Sequence, residues 1–211
     1  MTVSPREQLP TQRGRQTQAA IDAAARAVIA RKGILATTIS DIAAEAGRST
    51  ASFYNYYDSK EAMVREWAVR FRDEARERSR AAAEPGLTNW ERSYEAAAAH
   101  WHTYRNRLAE IISVSQMAMI SDDFAGYWGE ICSLPIALIT DMVKQAQRHG
   151  FCAADDDPHL VAVAMVSMLN QFCYTSLSGG NATDDIDDDA YITTLARIFY
   201  RTIYHLSLIH I

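Results

Sequence analysis

Between Arg48 and Lys60 the chain reads RSTASFYNYYDSK, so that hydroxyls, phenols, an amide and two cations crowd together with a single aliphatic residue among them. Side chains of these types hydrogen-bond phosphate oxygens or base edges without the desolvation cost of burying a charge. Such chemistry needs a rigid mount. Thr38 and Asp41 stand at the spacing of a capping box, and Ile39, Ile42, Ala43 and Ala46 follow at helical intervals. Gly47 stops that helix, since glycine alone takes a positive φ at little cost, and Ser49 is placed to cap a second helix over 50–56. Phe53, Tyr57 and one face of Ala51 are expected to pack inward, leaving Thr50, Ser52, Tyr54, Asn55 and Tyr56 outside. Two short helices meeting at a glycine turn make a helix-turn-helix.

Through Thr38, Ala46, Gly47, Ser49, Phe53, Tyr54, Tyr56, Tyr57, Ser59, Lys60 and Glu61, this segment resembles the DNA-binding domain of the TetR family of transcriptional regulators. The likeness covers residues 14–65. Two positions depart from the family pattern: Ala51 replaces a common glycine, and Asp58 stands where relatives often carry lysine, removing one phosphate contact. The resemblance implies that Thr38 and Tyr54 hydrogen-bond phosphates, that Lys60 neutralises one, and that Arg48, Ser49, Thr50, Ser52 and Tyr56 lie at the major groove. Arg48 is the candidate for base readout, because a guanidinium bonding O6 and N7 of guanine discriminates by about 1–3 kcal/mol. A phosphate contact by the same residue stays open.

Charge divides along the chain in the same sense. Residues 1–60 hold eight Lys and Arg against five Asp and Glu, a net +3, whereas 61–211 hold thirteen against twenty-one, a net −8. An acidic whole therefore carries a basic head, and Arg6, Arg13 and Arg15 could extend it as an arm toward phosphate or the minor groove. Cys132, Cys152 and Cys173 have no metal-ligand spacing and read as buried thiols of a cytoplasmic protein. No signal peptide is visible, and no apolar run of about 18 residues free of polar interruption suggests a membrane span. No metal or cofactor is expected: the Asp184–Asp189 run lacks the glycine and distal glutamate of a calcium loop. The six histidines do not pair with glutamate at di-metal spacing, and no nucleophile motif is present, so an enzyme is not expected.

The remainder reads as helix, for an all-α protein of about nine helices: a three-helix DNA-binding domain over 14–60 and a ligand-binding and dimerisation domain over 61–207. Capping boxes at Asp58 and Glu61 and at Thr88 and Glu91 start the fourth and fifth helices. Pro85-Gly86 ends the fourth, a sixth follows from about 108 to 120, and Ser121-Asp122 opens a seventh with a kink expected near Ile131, one turn before Pro135. Asp157-Pro158 starts the eighth, which ends before Gly179-Gly180, and the ninth follows the acidic loop.

The eighth helix carries two apolar stripes, Leu160, Val163, Ala164, Ser167, Met168 and Gln171 on one side and Val161, Met165, Leu169, Phe172 and Cys173 on another. One suits the core and one a partner. The ninth offers Ile192, Leu195, Ala196, Phe199 and Ile203. The resemblance implies a homodimer through helices eight and nine, which would present two recognition helices about 34 Å apart to a palindromic double-stranded operator. It also places Trp67, Phe71, Trp101, Met117, Phe124, Tyr127, Trp128, Cys132, Asn170, Phe172 and Tyr174 on helices around a pocket for a small hydrophobic molecule, though aromatics at helical spacing are more often core. Asn170 is singled out, because a carboxamide among Met165, Met168, Leu169 and Phe172 needs a partner. The function implied is a ligand-responsive repressor; a helical carrier or scaffold that binds small molecules without an operator is the alternative. Residues 207–211 carry no helix stop and receive no role.

Overall fold

A computed structural model describes residues 12–81, 86–178 and 187–205, with 72–81 known by their backbone. Expectations for Arg6, Pro85, Gly179-Gly180, residues 184–186 and the tail at 207–211 lie outside the described residues. Eight helices are present among those described: α1 (Gln12–Ala36), α2 (Ile39–Glu45), α3 (Thr50–Tyr54), α4 (Lys60–Ala81), α5 (Asn89–Ala118), α6 (Asp122–Arg148), α7 (Pro158–Leu177) and α8 (Asp188–Ile203). The expected break between the fifth and sixth helices is present as a kink at Arg107, and the two segments are numbered together as α5. Arg105-Asn106-Arg107 holds neither glycine nor proline, so α5 bends at Arg107 (φ −131°, ψ 25°) and continues.

Local chemistry sets most boundaries. Thr38 and Asp41 form the reciprocal capping box at α2, and Thr88 and Glu91 form another at α5. Asp157 caps α7 by accepting from the backbone N–H groups of His159 and Leu160 at 2.8 and 3.1 Å. The start of α4 falls one residue later than expected. Ser59, not Asp58, caps it, because the Ser59 carbonyl accepts the first helical bond, from Met63, and its hydroxyl oxygen accepts from Ala62 N–H at 3.1 Å. Ser121 occupies the N-cap of α6 without a side-chain bond, and Asp122 and Asp123 complement the helix dipole instead. α6 runs through Pro135 as a single element, although the proline leaves the Ile131 carbonyl without its N–H.

Helices α1 to α3 and the first turns of α4 enclose one core of Ile21, Ile29, Ile42, Phe53, Tyr57, Met63 and Trp67. That core does not stop at the expected boundary, since Val114 and Met117 of α5 and Phe124 of α6 close it. Inside it lies a carboxylate. Asp22 accepts from the Tyr57 hydroxyl at 2.6 Å and from the Trp67 indole at 3.4 Å, with Arg70 3.6 Å away, so one buried acid joins α1, the end of the helix-turn-helix and α4. A second core unites α5, α6, α7 and α8.

By length and composition alone α7, 20 residues long with a mean hydropathy of 1.5 over its most apolar 18, is apolar enough to cross a membrane, although the sequence shows no apolar run of about 18 free of polar interruption. Its surplus has a clear distribution. Met165, Leu169 and Cys173 face the core, while Leu160, Ala164, Ser167, Met168 and Gln171 are exposed, so the two stripes separate as the sequence suggests. On α8 the expected partner face is the core face: Ile192, Leu195, Ala196, Phe199 and Ile203 are all buried within the chain, because α8 packs that side onto α5.

Burial, and next the bond to Asp22, push the Tyr57 phenol from its ordinary value near 10 to about 12. A raised acid stabilises the fold below its unfolded value and loses that contribution as pH climbs to the folded one. The stability advantage of wild type over Tyr57→Phe, about 1 kcal/mol at neutral pH, should therefore shrink between pH 10 and 12 in urea titrations.

Candidate nucleic-acid interface and ligand cavity

The turn between α2 and α3 is built to expose its side chains. Gly47 at φ 60° lets its own N–H reach the Ala44 carbonyl at 3.1 Å and lets Arg48 N–H reach that of Ala43 at 2.9 Å, which satisfies the helix end and throws the Arg48 side chain into solvent. Ser49 caps α3 by accepting from Ser52 N–H at 3.2 Å, so its hydroxyl proton stays available to donate. Arg48, Ser49, Thr50 and Tyr54 are exposed, Tyr54 by 52%, and Ser52 and Tyr56 are half-buried beside them. Phe53 and Tyr57 anchor the other face, whereas Ala51 lies exposed with the polar residues rather than inward. A short helix with its polar side free and its aromatic side locked is thus in place.

Two of the expected phosphate contacts are occupied by internal bonds. Thr38 donates its hydroxyl to Asp41 at 2.6 Å, so contact with a phosphate requires that hydroxyl to rotate away. Lys32 first and Thr38 next hold the Asp41 carboxyl well below the usual range, which keeps an anion beside Thr38. Lys60 donates to the carbonyls of Ile34 at 2.8 Å and Thr37 at 2.9 Å, tying α4 to the end of α1 and the residue after it. One ammonium hydrogen remains for an outside acceptor.

A cavity of about 360 Å³ lies among α5, α6 and α7, lined also by Phe71 of α4 and Phe199 of α8. This volume is in the range of small-molecule sites. Four of the eleven expected pocket residues line it: Phe71, Trp128, Cys132 and Asn170. The other seven lie off its wall. Trp67, Met117 and Phe124 are buried in the N-terminal core, with Tyr127 packed on them. Trp101 is buried against α8, where it donates to Asp188 at 2.7 Å and stacks on Tyr191 at 4.6 Å, with Phe172 beside both. Tyr174 is 40% exposed on the outer side of α7. Aromatic bulk fills space, and the hollow opens instead where α5 presents Ala96, Ala99, His100 and Thr103, one face at helical spacing. That run of small residues was the available sequence signal.

Three titratable groups of the cavity are held neutral. Burial pushes the His100 imidazole down to about 4, only partly offset by Asn170. Burial also raises the Tyr104 phenol strongly and raises the Cys132 thiol, against a bond in which Asn170 Nδ2 donates to Cys132 Sγ at 3.7 Å.

The bend in α5 falls between two cavity-lining residues, Tyr104 before it and Ile111 after it. Beyond Arg107, Glu110 is buried and pairs with Arg26 of α1 at 2.7 Å and with Arg107 itself at 3.3 Å. Further on, Gln116 Oε1 accepts from Ile34 N–H at 3.1 Å, beside Gly33 at φ 75°, where an added Cβ would meet that oxygen at 3.0 Å.

The chain is thus all-helical among its described residues, with an exposed helix-turn-helix joined through α5 to a cavity. Residues 21–67 match the family described as bacterial regulatory proteins, tetR family. Over 74 residues the chain is 40% identical to the HTH-type transcriptional repressor KstR2 of Rhodococcus jostii RHA1, a match spanning 35% of this chain and 35% of that protein, about a third of its length. The fold extends further. The ketosteroid transcriptional regulator KstR2 of Mycobacterium tuberculosis superposes with a TM-score of 0.70 at 21% identity, over 92% of this chain and 95% of that one. FadR from Bacillus subtilis, solved with stearoyl-CoA, gives 0.63 at 17% identity over 87% and 97%.

Lys60→Met should lower the melting midpoint by several degrees, since two charge-assisted bonds to buried carbonyls are lost at about 1.5–3 kcal/mol each. Unchanged stability with weakened DNA binding would assign Lys60 to the phosphate alone.

Proposed function

We propose that this chain is a homodimeric repressor that leaves a near-palindromic operator when a small, mainly apolar molecule enters the cavity. The observation that carries the reading is α5 itself, which walls the cavity from Arg92 to Ile111 and holds α1 through Glu110 and Gln116. Residues 14–60 act as the DNA-reading unit and 61–207 as the ligand and dimer unit. Arg48 reads a base edge, Ser49, Thr50, Ser52 and Tyr56 line the groove, and Tyr54, with Thr38 and the spare hydrogen of Lys60, meets phosphates.

The exposed stripe of α7, Leu160, Ala164, Ser167, Met168 and Gln171, supports pairing with a second copy, with the outward residues of α8 alongside. Two copies supply the two recognition helices that a palindrome requires. The protein works where its operator is, in the cytoplasm. An apolar ligand is supported by the cavity wall and by the acyl chain of stearoyl-CoA in the FadR neighbour. To release DNA the ligand must favour the non-binding arrangement by a few kcal/mol; tight binding without that preference changes nothing.

Fluorescence anisotropy on the DNA upstream of its own gene should show tight binding that weakens steeply with salt. Binding no tighter than to random DNA, in that assay and in a random-sequence selection, would overturn the reading. Arg48→Ala should cost about 1–3 kcal/mol and relax preference at one position per half-site; uniformly weaker binding with preference intact would make Arg48 a phosphate contact. Asn170→Leu should alter the response to ligand while leaving DNA affinity of the free protein unchanged, and loss of the dimer in this variant would take Asn170 out of the pocket.

A further inference from the structure

The cavity has an internal polarity that narrows what it can hold. A short link, residues 119–121, joins α5 to α6, so the two run antiparallel and their cavity-lining residues fall into bands. Arg92 of α5 lies toward the band of Asp141 and Gln145 of α6, where the charges are. Phe71, Ile111 and Trp128 make the opposite, apolar end. Between them sit His100, Thr103 and Tyr104 of α5, Cys132 of α6 and Asn170 of α7, all uncharged at neutral pH.

His100 is the anomaly in this middle band. Its ring stacks on Tyr104 at 5.1 Å, and Asn170 is close enough to act on its ionisation, yet no group completes a hydrogen bond to Nε2, which is shut off from solvent. Among the described side chains it is the one buried polar atom left in that condition. An orphan of this kind costs about 1–3 kcal/mol, and native proteins seldom leave one without a use. Asn170 is also underemployed, since its Nδ2 donates to a thiol sulfur, a weak acceptor that a ligand oxygen can replace.

We infer that the middle of the cavity recognises an uncharged hydroxyl on an otherwise apolar ligand, bonded to His100 Nε2 and to the Asn170 amide, and that it rejects carboxylates. This rests on the reading of the cavity as the ligand site. A hydroxyl both donates and accepts, so it satisfies Nε2 in either neutral tautomer, after a small turn about the soft χ2 torsion. A carboxylate only accepts. It can bond Nε2 only in the tautomer that carries the proton there, and its charge would be desolvated in a band where burial opposes an imidazolium and none of the neighbouring groups carries a compensating cation.

The test uses three probes of one shape at pH 7: 2-naphthol, its isostere 2-methylnaphthalene, and 2-naphthoate, with affinities from equilibrium dialysis. Wild type should bind 2-naphthol at least as tightly as 2-methylnaphthalene, and 2-naphthoate most weakly. His100→Phe should lower the naphthol to methylnaphthalene affinity ratio about fivefold, the value of one neutral hydrogen bond. His100→Gln, which keeps a donor and an acceptor, should restore it. Retained 2-methylnaphthalene binding shows that the variant cavity is folded. A ratio equal in wild type and His100→Phe, or 2-naphthoate binding tightest, would overturn the hydroxyl assignment and leave the cavity reading standing. If no probe binds wild type, the cavity reading falls together with the inference.

Discussion

Glu110 is buried at the bend of α5 with a guanidinium on either side, Arg26 from α1 and Arg107 from the bend itself, and the relation between the two halves of the molecule depends on that carboxylate. Its desolvation cost offsets much of the Coulombic gain, so the triad adds little net stability as a whole. Breaking it is another matter. Removal of one partner leaves an uncompensated charge inside the protein at a cost of about 3–5 kcal/mol, and Arg26 would lose its anchor while still lying over the Trp67 ring at 5.2 Å. The geometry of the bend and the seating of α1 are therefore coupled.

This coupling gives the N-terminal domain a single floor. Asp22 fastens α1 to Tyr57 and Trp67, Lys60 fastens α4 to the end of α1, and Gln116 holds the turn at Gly33 and Ile34. Each is a polar bond in a largely apolar setting, where an unmade bond costs more than a made one contributes. Arrangements of that kind switch between discrete packings rather than deform by degrees. A change in the spacing of α5 and α6 around the cavity has a short physical route to the face that carries Arg48, Ser49 and Tyr54.

The helix-turn-helix was legible because its determinants are local. Capping boxes, the positive φ at Gly47 and the split between Phe53 and its polar neighbours act within a few residues, and each recurs in the structure. The two stripes of α7 were legible for the same reason, as helical periodicity alone separates them. The cavity was not. Aromatic residues were the visible candidates, but Trp101, Trp67 and Phe124 are large enough to be the packing itself, and a hollow is defined by what Ala96 and Ala99 fail to fill between helices distant in sequence.

The break expected between the fifth and sixth helices returns as the kink of α5 at Arg107, which is tied to Glu110, itself paired with Arg26 of α1. The sequence by itself determined the all-helical class, the polar recognition surface and the basic head, since each follows from the chemistry of neighbouring residues. Tertiary structure alone decided that Lys60 is an internal clamp, that α8 spends its apolar face on its own chain, and that His100 borders a hollow. Those outcomes depend on which surfaces meet across the fold, and hydrophobic burial chooses among such pairings by shape and area rather than by local pattern.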